Sequence, residues 1–330
     1  MEPKYFIGLD VSKITIDIAI IGSGELIDTF KIPNTGIGVQ DFIKFLKDNY
    51  KCKGTNTLLC AESMGLFTNY LTASSEKNGI RICLESALRI KRSMGIQRGK
   101  SDAVDAIRIA EYAMKNYRTM KIWVPSRSCI RRLKCLSTIR KRLLKIKIML
   151  RNQDKMHAYY LPHQEVAGIS SMYQKSVVAV MEDLENINNE MDLIIDSDEK
   201  LSHLMALQMS IPGVGRIIAR QMIIATNEFI DFDTSRQFAA YCGVAPFEIS
   251  SGGVSLGRTK VSHLASKELK ALLHLGSMHF TRHTKYFLGR YYQRKVLEGK
   301  NKMSVLNAIR NKLLHRIFSC VKNNKLYTDN

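Results

Sequence analysis

Four carboxylates are the first residues in this sequence whose types and positions could do chemistry together. Asp10 closes the apolar run Tyr5-Phe6-Ile7-Gly8-Leu9, and Glu62 closes a second run, Leu58-Leu59-Cys60-Ala61. A carboxylate just beyond an apolar strand sits at the carboxyl edge of a sheet, where α/β proteins usually build their sites. Asp102 and Asp105 are three apart in Lys100-Ser101-Asp102-Ala103-Val104-Asp105, so a helix places both on one face. Four such acids can hold two divalent cations about 3.5–4 Å apart. That pair suits phosphodiester chemistry, one ion activating the attacking oxygen and the other stabilising the leaving one. Oxygen donors favour Mg²⁺ or Mn²⁺ over zinc. Taken singly, each acid has a plainer reading: Asp102 as a helix cap or a partner of Arg98, Asp10 as the start of a turn. Asp17 alternates away from its apolar neighbours and is expected to be solvated.

A second candidate lies far along the chain, in Phe247-Glu248-Ile249-Ser250-Ser251-Gly252-Gly253, with Arg258 and Lys260 downstream. A serine followed by two glycines on a cation-rich loop can reach a phosphate, because glycine lets backbone approach closely. By residue types alone the same stretch is also an ordinary loop. Between two apolar helical stretches stands Ile211-Pro212-Gly213-Val214-Gly215, which resembles the hairpin of a helix-hairpin-helix motif. Its exposed N–H groups, at Gly213 and Gly215 among others, could hold a phosphate. A Gly-rich helix connection is the alternative.

The elements that must position these groups fall into three stretches. Residues 4–120 alternate strands and helices: strands at 5–9, 14–20 and 26–32, a helix at 39–49, a strand at 57–61, a helix at 66–78 and a strand at 80–84. Helices follow near Leu88 and at 102–115. Three meandering strands and then α/β alternation point to a mixed sheet of the ribonuclease-H-like kind. In residues 128–200 the apolar residues Val177, Val180, Leu184, Ile187, Met191 and Ile194 step at heptad spacing. A looser seam, Ile130 to Leu150, runs along an earlier basic helix, and the later helix is acidic. With Pro162 and Gly168 between them, 157–171 is expected to be a turn or loop joining an antiparallel helical hairpin. The basic arm either meets nucleic acid or pairs with the acidic arm. From Leu207 onward the pattern is a mostly helical unit, with helices at about 262–275, 285–297 and 304–321. The domain reading is 1–125, 126–202 and 203–330.

Composition narrows the class of partner. Fifty Lys+Arg against thirty Asp+Glu give a formal net charge of +20 over 330 residues. Such an excess points to a polyanion, and nucleic acid leads because no run approaches the ~20 apolar residues of a membrane span. The N-terminus lacks a basic region followed by an apolar one, so no signal peptide is expected and the protein reads as intracellular. The seven cysteines show no CxxC or CxxH spacing and are expected to be reduced thiols.

Together the motifs resemble the insertion sequence 110 family of transposases, bridge-RNA-guided DNA recombinases. The resemblance rests on Gly8-Leu9-Asp10-Val11-Ser12-Lys13, Glu62, Lys100-Ser101-Asp102 with Asp105, Pro212-Gly213-Val214-Gly215, and Gly243-Val244-Ala245-Pro246 followed by Ser251-Gly252, all in the family's order. It implies a RuvC-like domain whose four metal-binding acids are Asp10, Glu62, Asp102 and Asp105. It also implies a coiled-coil linker and a C-terminal transposase domain whose serine nucleophile is Ser251. The implied partners are donor and target DNA, a structured guide RNA and further copies of the chain. In the implied tetramer the RuvC-like domain of one subunit completes a site with the serine domain of another. Arg98, Lys100, Arg258 and Lys260 are the expected phosphate contacts, in the cytoplasm of a prokaryotic cell and associated with its nucleoid. Two other functions stay open at this stage: a structure-selective endonuclease using metal-activated water, and a non-catalytic nucleic-acid scaffold.

Overall fold

The period-two alternation near the N-terminus folds into an antiparallel meander: β1 (Tyr5–Val11), β2 (Thr15–Gly22) and β3 (Glu25–Pro33). The computed structural model describes residues 2–93, 102–247, 250–251, 254–255, 261 and 265–329, with backbone alone at 153–158, 163–164, 250–251 and 254–255. It divides into two units, Met1–Pro125 and Ser126–Asn330.

In the first unit α1 (Gly36–Tyr50) leads to β4 (Thr57–Glu62), α2 (Asn69–Asn78), β5 (Arg81–Glu85), α3 (Ala87–Ser93) and α4 (Asp102–Asn116). β4 lies parallel to β1 and β5 parallel to β4, giving a five-stranded mixed sheet of order β3-β2-β1-β4-β5. This bears out the mixed sheet expected of a RuvC-like domain. Strand alternation sorts the side chains onto two cores. Ile7, Leu9, Ile16, Ile18, Ile20, Leu59 and Ile82 pack with Val39, Phe42, Ile43 and Leu46 of α1. Phe6, Ala19, Ile21, Leu58, Cys60 and Cys83 pack with Ala106, Ile109, Ala110 and Ala113 of α4. The apolar side of α4 is mostly alanine, so its backbone comes very close to the sheet. A Cβ on Gly8 would stand 2.1 Å from the Ala106 carbonyl oxygen and 2.3 Å from the Ala110 nitrogen, so this contact requires glycine.

The second unit begins with two long helices, α5 (Ser128–Tyr160) and α6 (His163–Asp196). The expected loop at 157–171 is a correction: helix continues to Tyr160 and restarts at His163, with Pro162 at the N-cap. Proline has no N–H to lose in the first turn, so it starts a helix as readily as it stops one. Along the α6 seam, Leu184 and Met191 are buried and Ile187 and Ile194 partly so. The acidic arm pairs with the basic arm only in part. Arg132 does reach Glu190, but Asp192 and Asp196 of the acidic arm are taken by Arg216 and Arg220. Those arginines lie on α8 (Arg216–Thr226), which follows α7 (Glu199–Met209) and the Pro212-Gly213-Val214-Gly215 turn.

The remaining elements are α9 (Ser235–Tyr241), the short strands β6 (Ser250–Ser251) and β7 (Val254–Ser255), α10 (Lys267–Arg282), α11 (Phe287–Leu297) and α12 (Lys302–Asn323). α10 starts later than expected because the Ser266 hydroxyl accepts from the Leu269 N–H, a capping interaction. One core joins the base of the hairpin to α7 through α12, including Ile130, Met191, Ile223, Phe238, Leu273 and Leu313. All seven cysteines are free; five are buried, Cys129 is partly buried and Cys135 is exposed.

Candidate active site

Strand register decides which acids meet. Leu9 of β1 is paired with Ala61 of β4, so Asp10 and Glu62, each one residue further, lie side by side at the carboxyl ends of adjacent parallel strands. Gly8 and Cys60 face α4, and by alternation so do Asp10 and Glu62. The Gly8 contact then sets how close α4 lies, and its first turn carries Asp102 and Asp105. Carboxylates are favoured there by the helix dipole.

Two further acids belong to this row. Asp17 is the direct cross-strand partner of Asp10, and Glu85 is the partner of Glu62. The expectation that Asp17 is solvated is therefore corrected: it is 6% exposed and meets Lys31 of β3 at 3.2 Å. Lys31 reaches across from the edge strand, which alternation within β2 cannot reveal. Glu85 was missed altogether, although it follows Leu84 as Glu62 follows Ala61. It is buried, bonded by Arg89 at 3.1 Å and by the Tyr112 hydroxyl at 3.2 Å.

The electrostatics record the crowding. The Asp10 carboxyl is pushed up to about 6, first by burial and then by the charges of Glu62, Asp102, Asp105 and Asp17. Asp105 is held by Arg108 at 2.7 Å. Among the described residues no three His, Cys, Asp or Glu side chains close on one point as a finished cation cage. The donor set nonetheless suits a hard divalent cation: Asp10, Glu62, Asp102 and Asp105 are all carboxylates, and their mutual repulsion is what such a cation relieves.

Comparison with known families bears on both units. Residues 7–159 match the model of an IS110-type DEDD transposase, and residues 205–293 match that of the Transposase IS116/IS110/IS902 family. The chain belongs to the IS110 family of transposases. Among curated proteins this transposase is similar to the pilin gene-inverting proteins of Moraxella bovis and Moraxella lacunata. Each is 22% identical over 328 residues, spanning 98% of this chain and 97% of the relative. Among solved structures, Thermus thermophilus RuvC in complex with a Holliday junction substrate covers 36% of this chain and 98% of its own, at 8% identity and a TM-score of 0.29. A second Thermus thermophilus RuvC structure gives 10% identity and a TM-score of 0.28.

In this transposase Ser251 ends β6, and its backbone pairs with Val254 of β7, so the serine stretch is a short hairpin at that point. Gly252, Gly253, Arg258 and Lys260 lie outside the described residues, as do Arg98 and Lys100. The two turn glycines differ. Gly213, at φ +82°, is pressed against α10, where a Cβ would meet the Gly276 carbonyl oxygen at 2.6 Å; Gly215 caps α8 and faces open space. On α5, Arg142, Lys145, Lys147 and Arg151 make no ion pair among the described residues. No described helix is long and apolar enough to cross a membrane.

Proposed function

We propose that this transposase cuts and exchanges DNA strands through a phosphoserine ester, with Ser251 as nucleophile and Asp10, Glu62, Asp102 and Asp105 as the metal-holding acids. The observation that carries the reading is the register-locked pair Asp10 and Glu62 facing the acidic first turn of α4. So much like charge in one place is costly to folding and is explained by a cationic partner.

In the cutting step the Ser251 Oγ gives up its proton and bonds to phosphorus. The P–O3′ bond breaks, and the leaving oxygen takes a proton to become a 3′-OH. The ester keeps the energy of the broken bond, so the 3′-OH of another strand can displace the serine and restore it without a high-energy cofactor. Mg²⁺ or Mn²⁺, when bound by the four acids, supplies stabilisation of charge on the phosphoryl oxygens. The chain's own part is positional: strand register holds Asp10 beside Glu62, and the Gly8 contact holds Asp102 and Asp105 over them. The net charge of +20 and the basic face of α5 supply phosphate contacts.

The family resemblance extends the proposal to a structured guide RNA that selects the DNA. It also extends to an oligomer, dimer or tetramer, in which α5 and α6 form the coiled-coil linker and acids and serine come from different subunits. The Moraxella relatives are named for inverting a gene, and exchange between two oppositely oriented sites on one DNA gives that product.

The test is a labelled suicide DNA substrate run on denaturing gels with guide RNA and Mg²⁺. Wild-type protein carries label on the peptide containing Ser251. Ser251→Ala binds DNA but neither cleaves nor carries label, and Ser250→Ala keeps most activity. Cleavage by Ser251→Ala with no label on protein would instead establish metal-activated water as the nucleophile.

A further inference from the structure

Among the described residues of the second unit, one buried arginine has no counter-charge. Arg310 of α12 is 5% exposed, and no carboxylate among the described residues pairs with it. Its Nη2 donates to His274 Nδ1 of α10 at 2.6 Å, and its Nε makes no hydrogen bond. Arg220 shows the usual arrangement: it is 4% exposed and bonds Asp192 at 2.9 Å. A guanidinium stays charged at any physiological pH, so burying one without an anion is costly.

The contact defines the state of His274. A guanidinium can only donate, so Nδ1 is the accepting nitrogen and the ring proton sits on Nε2. Burial and the Arg310 charge both hold the imidazole neutral. The ring is half-buried, within reach of solvent. The result is an N–H of one set tautomer, polarised by a positive charge behind it. Such a donor suits an anion.

The surroundings say which anion. Asn307, one turn before Arg310, donates to the Val244 carbonyl at 3.0 Å, and the Ser266 N–H donates to the Tyr241 carbonyl at 2.9 Å. The first bond ties the start of the segment bearing Ser251 to α12, and the second ties the end of α9 to the N-cap of α10, where that segment ends. Lys270, one turn before His274, makes no ion pair among the described residues and lies on the same face.

We propose that His274, backed by Arg310, donates from Nε2 to a backbone phosphate oxygen of DNA bound beside the serine segment. The inference rests on the chain acting on DNA, and not on the phosphoserine step. The experiment measures binding of a fluorescent duplex of arbitrary sequence by the full chain across a salt series, for His274→Ala, Arg310→Met and the double variant. His274→Ala should weaken binding about tenfold with an unchanged salt slope, since a hydrogen bond to a charged group is lost but no charge is removed. Arg310→Met should cost a similar factor, and the double variant no more than the worse single one, because the two residues make one donor. His274→Gln, whose amide N–H reaches about as far as Nε2, should recover most of the affinity. Circular dichroism checks folding, and His274→Ala, at a half-buried position, decides the matter even if Arg310→Met unfolds. Wild-type affinity in folded His274→Ala overturns the proposal, as do losses that multiply in the double variant. The adduct assay on Ser251 can fail while this binding loss stands, and the reverse, so the two ideas are separable.

Discussion

At the sheet end of the first unit, carboxylates stand beside carboxylates: Asp17, Asp10, Glu62 and Glu85 in a row, with Asp102 and Asp105 above them. At the base of the hairpin in the second unit, opposite charges are matched. Arg127 bonds Asp198 at 2.6 Å and Glu228 at 2.6 Å, and Lys200 reaches Glu228 at 3.2 Å. The first arrangement raises the proton affinity of Asp10; the second lowers those of Asp198 and Glu228. Matched charges stabilise the fold by themselves. Like charges around Asp10 weaken it, even with Asp17, Glu85 and Asp105 each paired to a base, and under the proposed function a bound cation relieves them.

Substitutions can break that contrast at several strengths. The largest effect is expected from Gly8→Ala. Its Cβ would stand 2.1 Å from the Ala106 carbonyl oxygen, so α4 must move and carry Asp102 and Asp105 with it. Overpacking of this kind costs about 1–3 kcal/mol, and a 1 Å displacement of a reacting group about a hundredfold in rate. Thermal melts and cleavage kinetics on one preparation measure both. Arg127→Met comes next. It leaves the Glu228 carboxylate, 0% exposed at the side chain, with Lys200 as its partner. The loss should be about 2 kcal/mol, below that of a fully buried pair because Lys200 remains and Arg127 is part-exposed. Urea unfolding of the second unit reads it directly.

A smaller effect should appear with pH. Arg127 holds Asp198 below the ordinary carboxylate range; at Glu228, burial pushes upward but Arg127 and Lys200 outweigh it. Both folded-state values are depressed, so the unfolded chain takes up protons first on acidification. The stabilisation is complete above the ordinary range near pH 4 and is lost as pH falls through the folded values. Melting temperature should drop from about pH 5 to about pH 3, and the drop should be shallower in Arg127→Met. Smallest is Arg132→Ala, which removes an exposed pair with Glu190 and should change stability by about 0.5 kcal/mol or less. A loss as large as that of Arg127→Met would erase the distinction between the two kinds of pairing.

The same contrast explains what the sequence could reveal. Asp10 and Glu62 were legible because each ends an apolar run, and the parallel register brings two such ends together with no further information. Asp102 and Asp105 were legible as a helical pair, but their approach to Asp10 depends on Gly8 meeting Ala106, a contact across 98 residues. Asp17 was misread because its partner, Lys31, comes from another strand. Glu85 was overlooked although the strand-end signal was present in Leu84-Glu85. In the second unit, the two arms of opposite charge announced the hairpin, and Pro162 marks its turn; the expected loop was too long because helix resumes directly after the proline. Arg310 and His274 are 36 apart in sequence, and neither residue type announces the other.

In the proposed reaction the acid row works together with Ser251. Its most direct test is adduct formation in Asp10→Asn, assayed with guide RNA, Mg²⁺ and the labelled suicide substrate. Removing one of the mutually repelling carboxylates should leave the melting temperature equal to or above wild type and DNA binding intact, while the labelled Ser251 peptide disappears. A folded Asp10→Asn protein that forms the adduct at the wild-type rate would contradict the claim.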